Sequence, residues 1–338
     1  MSVLVTGGAG FIGTHTAVVL HESGRDVVLL DDLSNSSNEA VNAVRSLTSP
    51  DLPFVEADAA DQAAVGRAIV EYDVDEVIHF AAYKSVSESV EKPLAYYSNN
   101  VGSTIGVVQA MIDHGVSRLV FSSSCTVYGE PDEVPVTETS PTRAVNPYGA
   151  TKLVCEQLLA DIAAVSALDV MLLRYFNPVG AHPSGDIGED PSGVPTNLVP
   201  FLMQVAVGRL DRLNVFGDDY NTPDGSAIRD YIHVMDLADG HVAALDALTA
   251  NTGCVAVNLG TGKGYSVLEV VAAATEVIGA PIPTEVVGRR AGDVEQIWAD
   301  PTYAAEILGW RATRSLNEML ADHWRWQQQH PTGHKDSN

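Results

Sequence analysis

The sequence predicts an α/β protein built on a doubly wound parallel sheet, with a smaller mixed α/β domain beside it. From Ser2 to Arg174, short apolar runs alternate with amphipathic helical patterns, as they do in parallel sheets with crossover helices. A glycine-rich turn joins the first run to the first helix. After Arg174 the chain becomes rich in Pro, Gly and Asp. We therefore expect the sheet domain to span residues 1–175 and the second domain to span residues 176–330.

The first strand and the turn after it have the spacing of a phosphate-binding loop. Ser2–Thr6 is apolar and leads into the sequence GGAGFIG at the start of a helix. Gly7 allows a tight turn, Gly10 lets the backbone approach a pyrophosphate, and Gly13 allows close helix–strand packing. The helix N-terminus offers N–H groups and a partial positive charge to phosphates. This context predicts a Rossmann-type dinucleotide site, and the alternative is a glycine turn that holds no ligand.

An acidic residue follows the second strand at the distance expected for ribose recognition. Asp26–Leu30 is mostly apolar and ends at Asp31, roughly 20 residues beyond the glycine loop. Asp31 is placed to accept hydrogen bonds from an adenosine ribose, and it would repel a 2′-phosphate. No arginine follows it closely in the sequence, so these residues favour NAD over NADP.

The next elements continue the alternation of strands and helices. We predict strands at Pro53–Glu56, Asp75–Phe80, Ser117–Phe121 and Asp169–Arg174, and helices at Gln62–Glu71, Leu94–His114 and Pro147–Val165. Right-handed crossovers bring the carboxyl ends of these strands to one edge of the sheet, where ligands bind. Asp58, Lys84 and Ser124 fall at this edge, with the glycine loop.

The second half of the chain mixes short strands and helices, with loops suited to enclose a substrate. We predict extended segments at Leu213–Phe216, Arg229–Val234, Val255–Leu259 and Thr284–Val287, and helices at Thr196–Gly208, Met235–Leu248, Val267–Ile278, Asp300–Leu308 and Leu316–Gln329. We expect residues 235–260 to return to the main sheet. The polar residues 331–338 are expected to form a disordered tail.

A tyrosine and a lysine lie four residues apart at the start of a predicted helix that Asn146 caps. Pro147 suits the first helical position, and Tyr148 and Lys152 share one helix face. A phenol beside an ammonium has its anion favoured, so we expect the pKa of Tyr148 to fall below its usual value of about 10. Alone, such a pair is usually an ordinary surface contact. With a dinucleotide loop and with Ser124, it predicts a site that oxidises an alcohol, in which Tyr148 is the base.

Composition and charge exclude several other classes of function. The chain has 338 residues and a formal net charge of −25, and no basic stripe is available to bind nucleic-acid phosphates. The cysteines form no C-x-x-C pair and the predicted helices carry no H-x-x-x-H pair, so no metal site is expected. We expect no signal peptide and no membrane span, and hence a cytoplasmic protein.

Blocks spread along the chain resemble the extended short-chain dehydrogenase/reductases. The resemblance is carried by the glycine loop and by the runs VIHFA (77–81), FSSS (121–124) and TVYG (126–129). Two further blocks, LRYFNPVGAHPSG (173–185) and RDYIHVMDLA (229–238), resemble the nucleotide-sugar epimerase branch in particular.

The resemblance implies a reaction, which is the interconversion of UDP-glucose and UDP-galactose with NAD kept bound. Tyr148 would take the proton of the sugar 4-hydroxyl while hydride leaves C4. The 4-keto sugar would then turn over, and hydride would return to its opposite face. Lys152 would bind the nicotinamide ribose, and Ser124 would bind the reacting hydroxyl.

The resemblance also assigns binding residues and a partner. The cofactor set is Gly7, Gly10, Phe11, Ile12, Gly13, Asp31, Asn35, Ser36, Asp58, Ala59, Phe80, Ala81, Lys84, Asn99, Ser122, Tyr148, Lys152 and Tyr175. The substrate set is Lys84, Ser124, Tyr148, Phe176, Asn177, Asn197, Leu198, Asn214, Phe216, Arg229, Arg290 and Asp293. Arginines suit diphosphate oxygens, and the alternative for each of them is an ordinary surface ion pair. Helices 94–114 and 147–165 would pair with a second subunit in a homodimer.

Three other functions are compatible with this fold. A nucleotide-sugar 4,6-dehydratase would need an Asp-Glu pair after the serines, where this chain has Cys125 and Thr126. A non-catalytic NAD-sensing protein would have no need for Ser124, Tyr148 and Lys152 together. An epimerase of a UDP-N-acetylhexosamine or of UDP-glucuronate stays open. By resemblance, the position of Ile297 sets the size of the C2 substituent, and isoleucine is neither bulky nor small.

The acidic composition leads to a first prediction, that the surface is adapted to high salt. Salt screens the self-repulsion of a chain with a net charge of −25. We therefore expect the melting temperature and the activity to rise from dilute buffer to molar KCl, as measured by thermal unfolding and initial rates. Equal stability and activity in dilute buffer would identify an ordinary acidic protein instead.

Overall fold

The computed structural model describes residues 1–191, 193–249, 252–290 and 292–334. Its strands are β1 (Ser2–Thr6), β2 (Asp26–Asp31), β3 (Phe54–Glu56), β4 (Val74–His79), β5 (Arg118–Ser122), β6 (Asp169–Tyr175), β7 (Asn177–Val179), β8 (Leu213–Phe216), β9 (Ile228–His233), β10 (Cys254–Leu259), β11 (Gly264–Ser266), β12 (Thr284–Val287) and β13 (Gln296–Ile297). Its helices are α1 (Phe11–Glu22), α2 (Asn38–Leu47), α3 (Gln62–Glu71), α4 (Val86–Glu91), α5 (Pro93–His114), α6 (Pro147–Ala163), α7 (Leu198–Ala206), α8 (Val234–Ala247), α9 (Val267–Ile278), α10 (Thr302–Leu308) and α11 (Leu316–Gln329).

The main sheet is parallel and doubly wound. Within the described ranges it contains seven strands, in the order β10-β6-β5-β4-β1-β2-β3. The chain builds outward from β1 in both directions, so the order reverses between β1 and β4. That reversal opens a crevice at the carboxyl edge of the strands, beside the glycine turn that follows β1. The predicted fold class is confirmed.

Two apolar layers cover the main sheet. Val3 and Val5 of β1 pack with α1, α2, α8 and α10 on one face, and Leu4 packs with α3, α5 and α6 on the other. Strands that are covered on both faces are apolar at nearly every position, and β1 is buried along its whole length. This is the reason that these strands were visible in the sequence as continuous apolar runs.

The second domain is organised around β9. This strand pairs in parallel with β7 and β13 and antiparallel with β11, while β8 and β12 form a separate parallel pair. Helices α7, α9 and α11 bury a third apolar cluster that includes Leu202 and Leu320. The chain enters this domain at the carboxyl edge of the main sheet, since β7 follows β6 after a single residue.

Several segments differ from the sequence-based prediction. Helices α2 and α4 were not predicted, although α2 is amphipathic and Ser37 caps it. Residues 331–334 were predicted to belong to a disordered tail, but His334 is buried and its ring packs on that of Trp326. Residues 335–338 lie outside the described residues. Among the described helices, none is both long and apolar enough to cross a bilayer.

Candidate active site

The glycine loop is shaped by close contacts between backbone segments. Gly7 has a φ of +68°, and a Cβ there would lie 2.7 Å from the backbone nitrogen of Ala81, at the end of β4. A Cβ on Gly13 would lie 2.3 Å from the carbonyl oxygen of Gly7. Packing within the protein therefore requires glycine at positions 7 and 13, and it brings the predicted residue Ala81 against the loop.

Gly10 is different, because little in the protein requires glycine there. Its φ is −78°, which any residue adopts, and a Cβ would meet a single atom, the carbonyl oxygen of Gly7 at 3.2 Å. It precedes Phe11 and Ile12, the first residues of α1, and the first N–H groups of a helix have no partner within the helix. This arrangement fits the pyrophosphate of a dinucleotide, which would approach over Gly10.

Asp31 is held firmly at the end of β2. Its carboxylate accepts hydrogen bonds from Ala9 N at 3.0 Å, Leu33 N at 3.0 Å and Ser36 Oγ at 2.8 Å. Burial raises the pKa of Asp31, and these three hydrogen bonds oppose that shift. A carboxylate has about four acceptor positions, so one remains for a ribose hydroxyl. Asn35 lies in the same loop as Ser36.

The other predicted cofactor residues follow the carboxyl edge of the sheet. Asp58 and Ala59 follow β3, and Asn99 lies on α5. Phe80 packs its ring against that of His241. Lys84 was predicted to bind ligand, but its Nζ forms an ion pair with Glu189, 2.7 Å from Oε1. No sequence pattern predicted this contact, because Glu189 lies in a loop with no motif.

Lys152 is buried at the centre of the candidate site. Asn146 caps α6 by accepting a hydrogen bond from Gly149 N at 2.8 Å, and this places Tyr148 and Lys152 on the buried face. The Nζ of Lys152 donates to the Ser122 carbonyl at 2.7 Å and lies 5.0 Å from the centre of the Phe121 ring.

Ser124 meets Tyr148 at a short turn after β5. The Oγ of Ser124 accepts hydrogen bonds from Thr126 N at 3.2 Å and from Thr126 Oγ1 at 3.0 Å. A Cβ on Gly149 would lie 2.7 Å from the Thr126 carbonyl oxygen, so α6 begins directly against this turn. Beside it, the hydroxyl of Ser122 contacts that of Tyr175. The predicted catalytic residues are thus brought together with Ser122 and Tyr175.

The expectation that Lys152 lowers the pKa of Tyr148 is wrong for the described structure. Burial raises the pKa of Tyr148 to about 12, and a hydrogen bond with the Ser124 side chain opposes the shift. Burial also lowers the pKa of Lys152 to about 8. The sequence argument considered only the attraction between neighbouring charges, whereas removal of both groups from water has the larger effect.

Part of the predicted substrate set gathers around Arg290. Its guanidinium donates to both carboxylate oxygens of Asp293, at 3.0 and 3.2 Å, and lies 5.3 Å from the centre of the Phe216 ring. A third hydrogen bond, to the Thr196 carbonyl at 3.3 Å, joins this group to Asn197 and Leu198 at the start of α7. Asn214 shares the exposed face of β8 with Phe216.

The remaining substrate residues lie closer to the sheet. Arg229 donates to the backbone carbonyls of Ile228, Val294 and Glu295, and among the described residues it has no carboxylate partner. Asn177 lies on β7, and within the described chain its Oδ1 is buried without a hydrogen-bond partner. A buried polar atom of this kind is free to accept a hydrogen bond from an ordered water or from a ligand.

Phe176 and Ile297 are buried in one cluster with Cys125. Ile297 therefore lies near the turn that carries Ser124, as a residue that limits the sugar pocket would. The structure also reveals contacts that sequence reasoning missed, including the buried ion pair between Glu156 and Arg174. No local pattern could have found this pair, because Arg174 lies on β6 and Glu156 on α6.

The fold and the site define a class of protein, which the comparisons with known proteins identify. A family model described as GDP-mannose 4,6 dehydratase matches residues 4–323. The chain therefore belongs to this family of extended short-chain dehydrogenase/reductases.

Individual relatives found in these comparisons share a more specific name within the family. UDP-glucose 4-epimerase of Bacillus subtilis is 54% identical over 338 residues, which cover all of both chains. The crystal structure of UDP-glucose 4-epimerase from Bifidobacterium longum, in complex with NAD+ and UDP, has a TM-score of 0.95 and 48% identity, covering 98% of this chain and 100% of that one. The enzyme from Stenotrophomonas maltophila, with bound NAD and formylated UDP-arabinopyranose, has a TM-score of 0.95 and 49% identity, covering 98% and 99%. The expected relationship to UDP-glucose 4-epimerases is confirmed.

The two glycines of the loop give a matched pair of variants. Gly13→Ala should lower the free energy of unfolding by about 1–3 kcal/mol, because its Cβ would overlap the Gly7 backbone. Gly10→Ala should leave stability nearly unchanged and weaken NAD binding about tenfold or more, because its methyl group lies where the pyrophosphate approaches. Denaturant unfolding and NAD titration of nucleotide-stripped protein measure the two effects. Wild-type NAD affinity in Gly10→Ala would contradict this assignment.

Proposed function

We propose that this chain interconverts UDP-glucose and UDP-galactose with bound NAD. The observation that carries the proposal is the meeting of Ser124, Tyr148 and Lys152 at the carboxyl edge of the sheet, beside the crevice that the glycine loop opens. Full-length relatives named UDP-glucose 4-epimerase support it.

The hydroxyl of Ser124 is positioned to donate a hydrogen bond to the phenol oxygen of Tyr148. Both acceptor positions of the Ser124 oxygen are used by Thr126, so its own hydrogen is available to Tyr148. A hydroxyl that donates to Tyr148 stabilises the phenolate, and this explains why Ser124 opposes the rise in the Tyr148 pKa. In the proposed reaction Tyr148 takes the proton of the sugar 4-hydroxyl, and the hydroxyl hydrogen of Ser124 turns from Tyr148 to bind the same sugar oxygen.

Lys152 supplies the positive charge that the phenolate needs. With a pKa of about 8 it is mostly an ammonium at neutral pH. One of its three donors binds the Ser122 carbonyl, which leaves two for a ribose and for the reacting groups. NAD, when bound, supplies the acceptor and then the donor of the hydride at the sugar C4. Tyr148 returns its proton to the 4-oxygen in the second half of the cycle.

The nucleotide must stay anchored while the 4-keto sugar turns. We assign this anchoring to Asn177, Arg229, Arg290 and Asp293, together with the ring of Phe216. Arg290 is pre-oriented by Asp293 and Phe216, which reduces the entropy that a diphosphate contact would cost. Asn177 contributes the buried oxygen that lacks a partner in the described residues.

A 4,6-dehydratase is disfavoured although the matching family model carries that description. Elimination of water needs a general acid and a general base after the serines. Burial raises the pKa of the Cys125 thiol to about 12, and the hydroxyl of Thr126 is bound to Ser124. Neither side chain can exchange protons with a sugar near neutral pH.

Turnover provides the test of function. Purified protein should convert UDP-galactose to UDP-glucose without added NAD, and Tyr148→Phe should lower kcat by roughly 10²- to 10⁴-fold because it removes the base. The NAD content of this variant should stay at the wild-type level. Parallel assays with UDP-N-acetylgalactosamine define the tolerance of the pocket beside Ile297.

Two outcomes would contradict this proposal. Failure of the wild-type protein to form UDP-glucose would remove the assigned reaction. Near-normal turnover by Tyr148→Phe would remove Tyr148 from its role as base.

We also propose that the chain forms a homodimer through α5 and α6, which pack side by side. Tyr97, Ile105 and Ile112 lie along one stripe of α5 and are 40%, 51% and 44% exposed, and Val154 of α6 is 42% exposed. A second copy is the occupant that the family resemblance favours, since an isologous contact would cover the same stripe on both chains.

A cytoplasmic location agrees with the three free cysteines.

The dimer prediction is tested by placing a charge on the stripe. Ile105→Glu should give a monomer, because burying a carboxylate in an apolar interface is costly. Val70→Glu on α3 is the matched control, since Val70 is 61% exposed on a different helix and its replacement should leave the dimer intact. Light scattering after size exclusion measures the mass. A dimer of Ile105→Glu would place the interface elsewhere.

A further inference from the structure

Glu156 is a buried carboxylate one helical turn beyond Lys152 on α6. Its residue is 5% exposed, and both of its oxygens are used. Arg174 on β6 donates from Nε to Oε1 at 2.9 Å and from Nη2 to Oε2 at 2.6 Å. The hydroxyl of Ser123 also donates to Oε1. None of the roles assigned so far involves Glu156.

Arg174 extends this contact into a network below the site. Its Nη1 donates to Tyr128 Oη and to the Glu138 carbonyl, both at 3.1 Å, and Tyr128 in turn donates to Asn258 Oδ1 at 2.7 Å. The network joins α6 to β6, to β10 and to the loop after β5. A buried ion pair adds little stability over an apolar pair of the same size, because both charges lose their water. Stability alone therefore does not account for Glu156.

Ser123 connects Glu156 to the catalytic groups. It lies between Ser122, whose carbonyl receives the ammonium of Lys152, and Ser124, which bonds to Tyr148. Glu156 lies on α6, the helix that carries Tyr148 and Lys152. Through Ser123 it binds the segment that supplies Ser122 and Ser124, the partners of those two side chains. A shift of this strand end relative to α6 would change both contacts at once.

Glu156 also contributes the charge that faces Lys152. The titratable groups around Lys152 in the described chain are His79 from β4 and Cys155 and Glu156 from α6. Burial lowers the pKa of His79 to about 3 and raises the pKa of the Cys155 thiol, so both are neutral near pH 7. The phenols of Tyr148 and Tyr175 are neutral as well. Glu156 remains as the negative charge in this set, and the guanidinium of its partner Arg174, from β6, opposes part of its effect on Lys152.

We propose that Glu156 is a positioning residue for the epimerase reaction: its carboxylate fixes the Ser122–Ser124 segment against α6, and its charge keeps Lys152 an ammonium. The inference rests on the roles proposed above for Ser124, Tyr148 and Lys152. It makes the glutamate part of the catalytic arrangement without any contact with substrate or cofactor.

The pH dependence follows from the sign of this effect. Burial lowers the pKa of Lys152 and Glu156 opposes that fall. Without the negative charge the pKa of Lys152 drops further, so the ammonium is lost at a lower pH. Activity that needs the ammonium is present below this pKa and disappears above it. The alkaline fall in kcat should therefore begin at lower pH when Glu156 is neutral.

The test compares kcat from pH 6 to pH 10 in wild-type protein and in two variants. Glu156→Gln keeps the shape but leaves the buried charge of Arg174 without its carboxylate partner, which can prevent folding. The double variant Glu156→Gln with Arg174→Gln removes both buried charges and avoids that penalty. In folded Glu156→Gln we expect the ratio of the rates at pH 9 and pH 7 to fall about tenfold relative to wild type. The double variant should show a smaller fall in the same direction, because it also removes the positive charge of Arg174, which lies farther along the chain of contacts from Lys152.

Two further variants separate position from charge and from stability. Ser123→Ala removes one hydrogen bond to Glu156 but no charge, so it should lower kcat severalfold with the wild-type pH profile. Glu76→Gln is the matched control: Glu76 is a fully buried glutamate paired with Arg118 at 2.9 Å, toward the amino end of β4. It should lower the melting temperature and leave the pH profile unchanged.

The outcomes distinguish this inference from the proposed function. A wild-type protein without epimerase activity overturns the function itself. An active wild type whose double variant has the wild-type pH profile overturns the role of Glu156. A shifted profile in Glu76→Gln would also overturn it, because the effect would then follow from lost stability.

Discussion

The complete burial of Lys152 is the constraint on which the site depends. Its ammonium loses hydration when it is buried, which lowers its pKa to about 8, so the protein must supply other partners. Those partners are the Ser122 carbonyl and the face of the Phe121 ring, and both belong to β5. The end of β5 must therefore be fixed relative to α6. Parallel packing of β5 between β4 and β6, and the cap that Asn146 places on α6, provide that fixed geometry.

The same burial changes how the Tyr-x-x-x-Lys spacing should be interpreted. In water, proximity alone decides the interaction of a phenol and an ammonium, and the phenol becomes more acidic. In a dry site the neutral forms of both groups are favoured, as the raised pKa of Tyr148 and the lowered pKa of Lys152 indicate. Near neutral pH the phenol of Tyr148 therefore keeps its proton and Lys152 is mostly an ammonium. The action of Tyr148 as a base depends on positive charge and hydrogen-bond donors beside it, which Lys152 and Ser124 supply.

Local sequence patterns predicted the features that depend on neighbouring residues. The glycine loop, Asp31 at the end of β2 and the cap of α6 are set by residues within a few positions, and each was visible as a motif. The ion pair of Lys84 with Glu189 joins residues 105 positions apart, and the contact of Arg290 with the Phe216 ring joins a loop to the end of β8. Such pairs depend on how the domains pack, and single-sequence periodicity contains no information about that. The substrate set could accordingly be assigned only through the family resemblance.

The charges of this chain are divided between the surface and the site. The sequence has 44 acidic and 19 basic residues, so a UDP-sugar approaches a surface of its own sign. Arg229 and Arg290, to which we assign the diphosphate, would act at short range, and their partners hold them in place. Salt screens charges separated by more than about 8–10 Å at physiological ionic strength, but it affects contact pairs much less. High salt would therefore remove the repulsion that opposes substrate approach and preserve the contacts that bind it. An acidic surface and an anionic substrate are compatible for this reason.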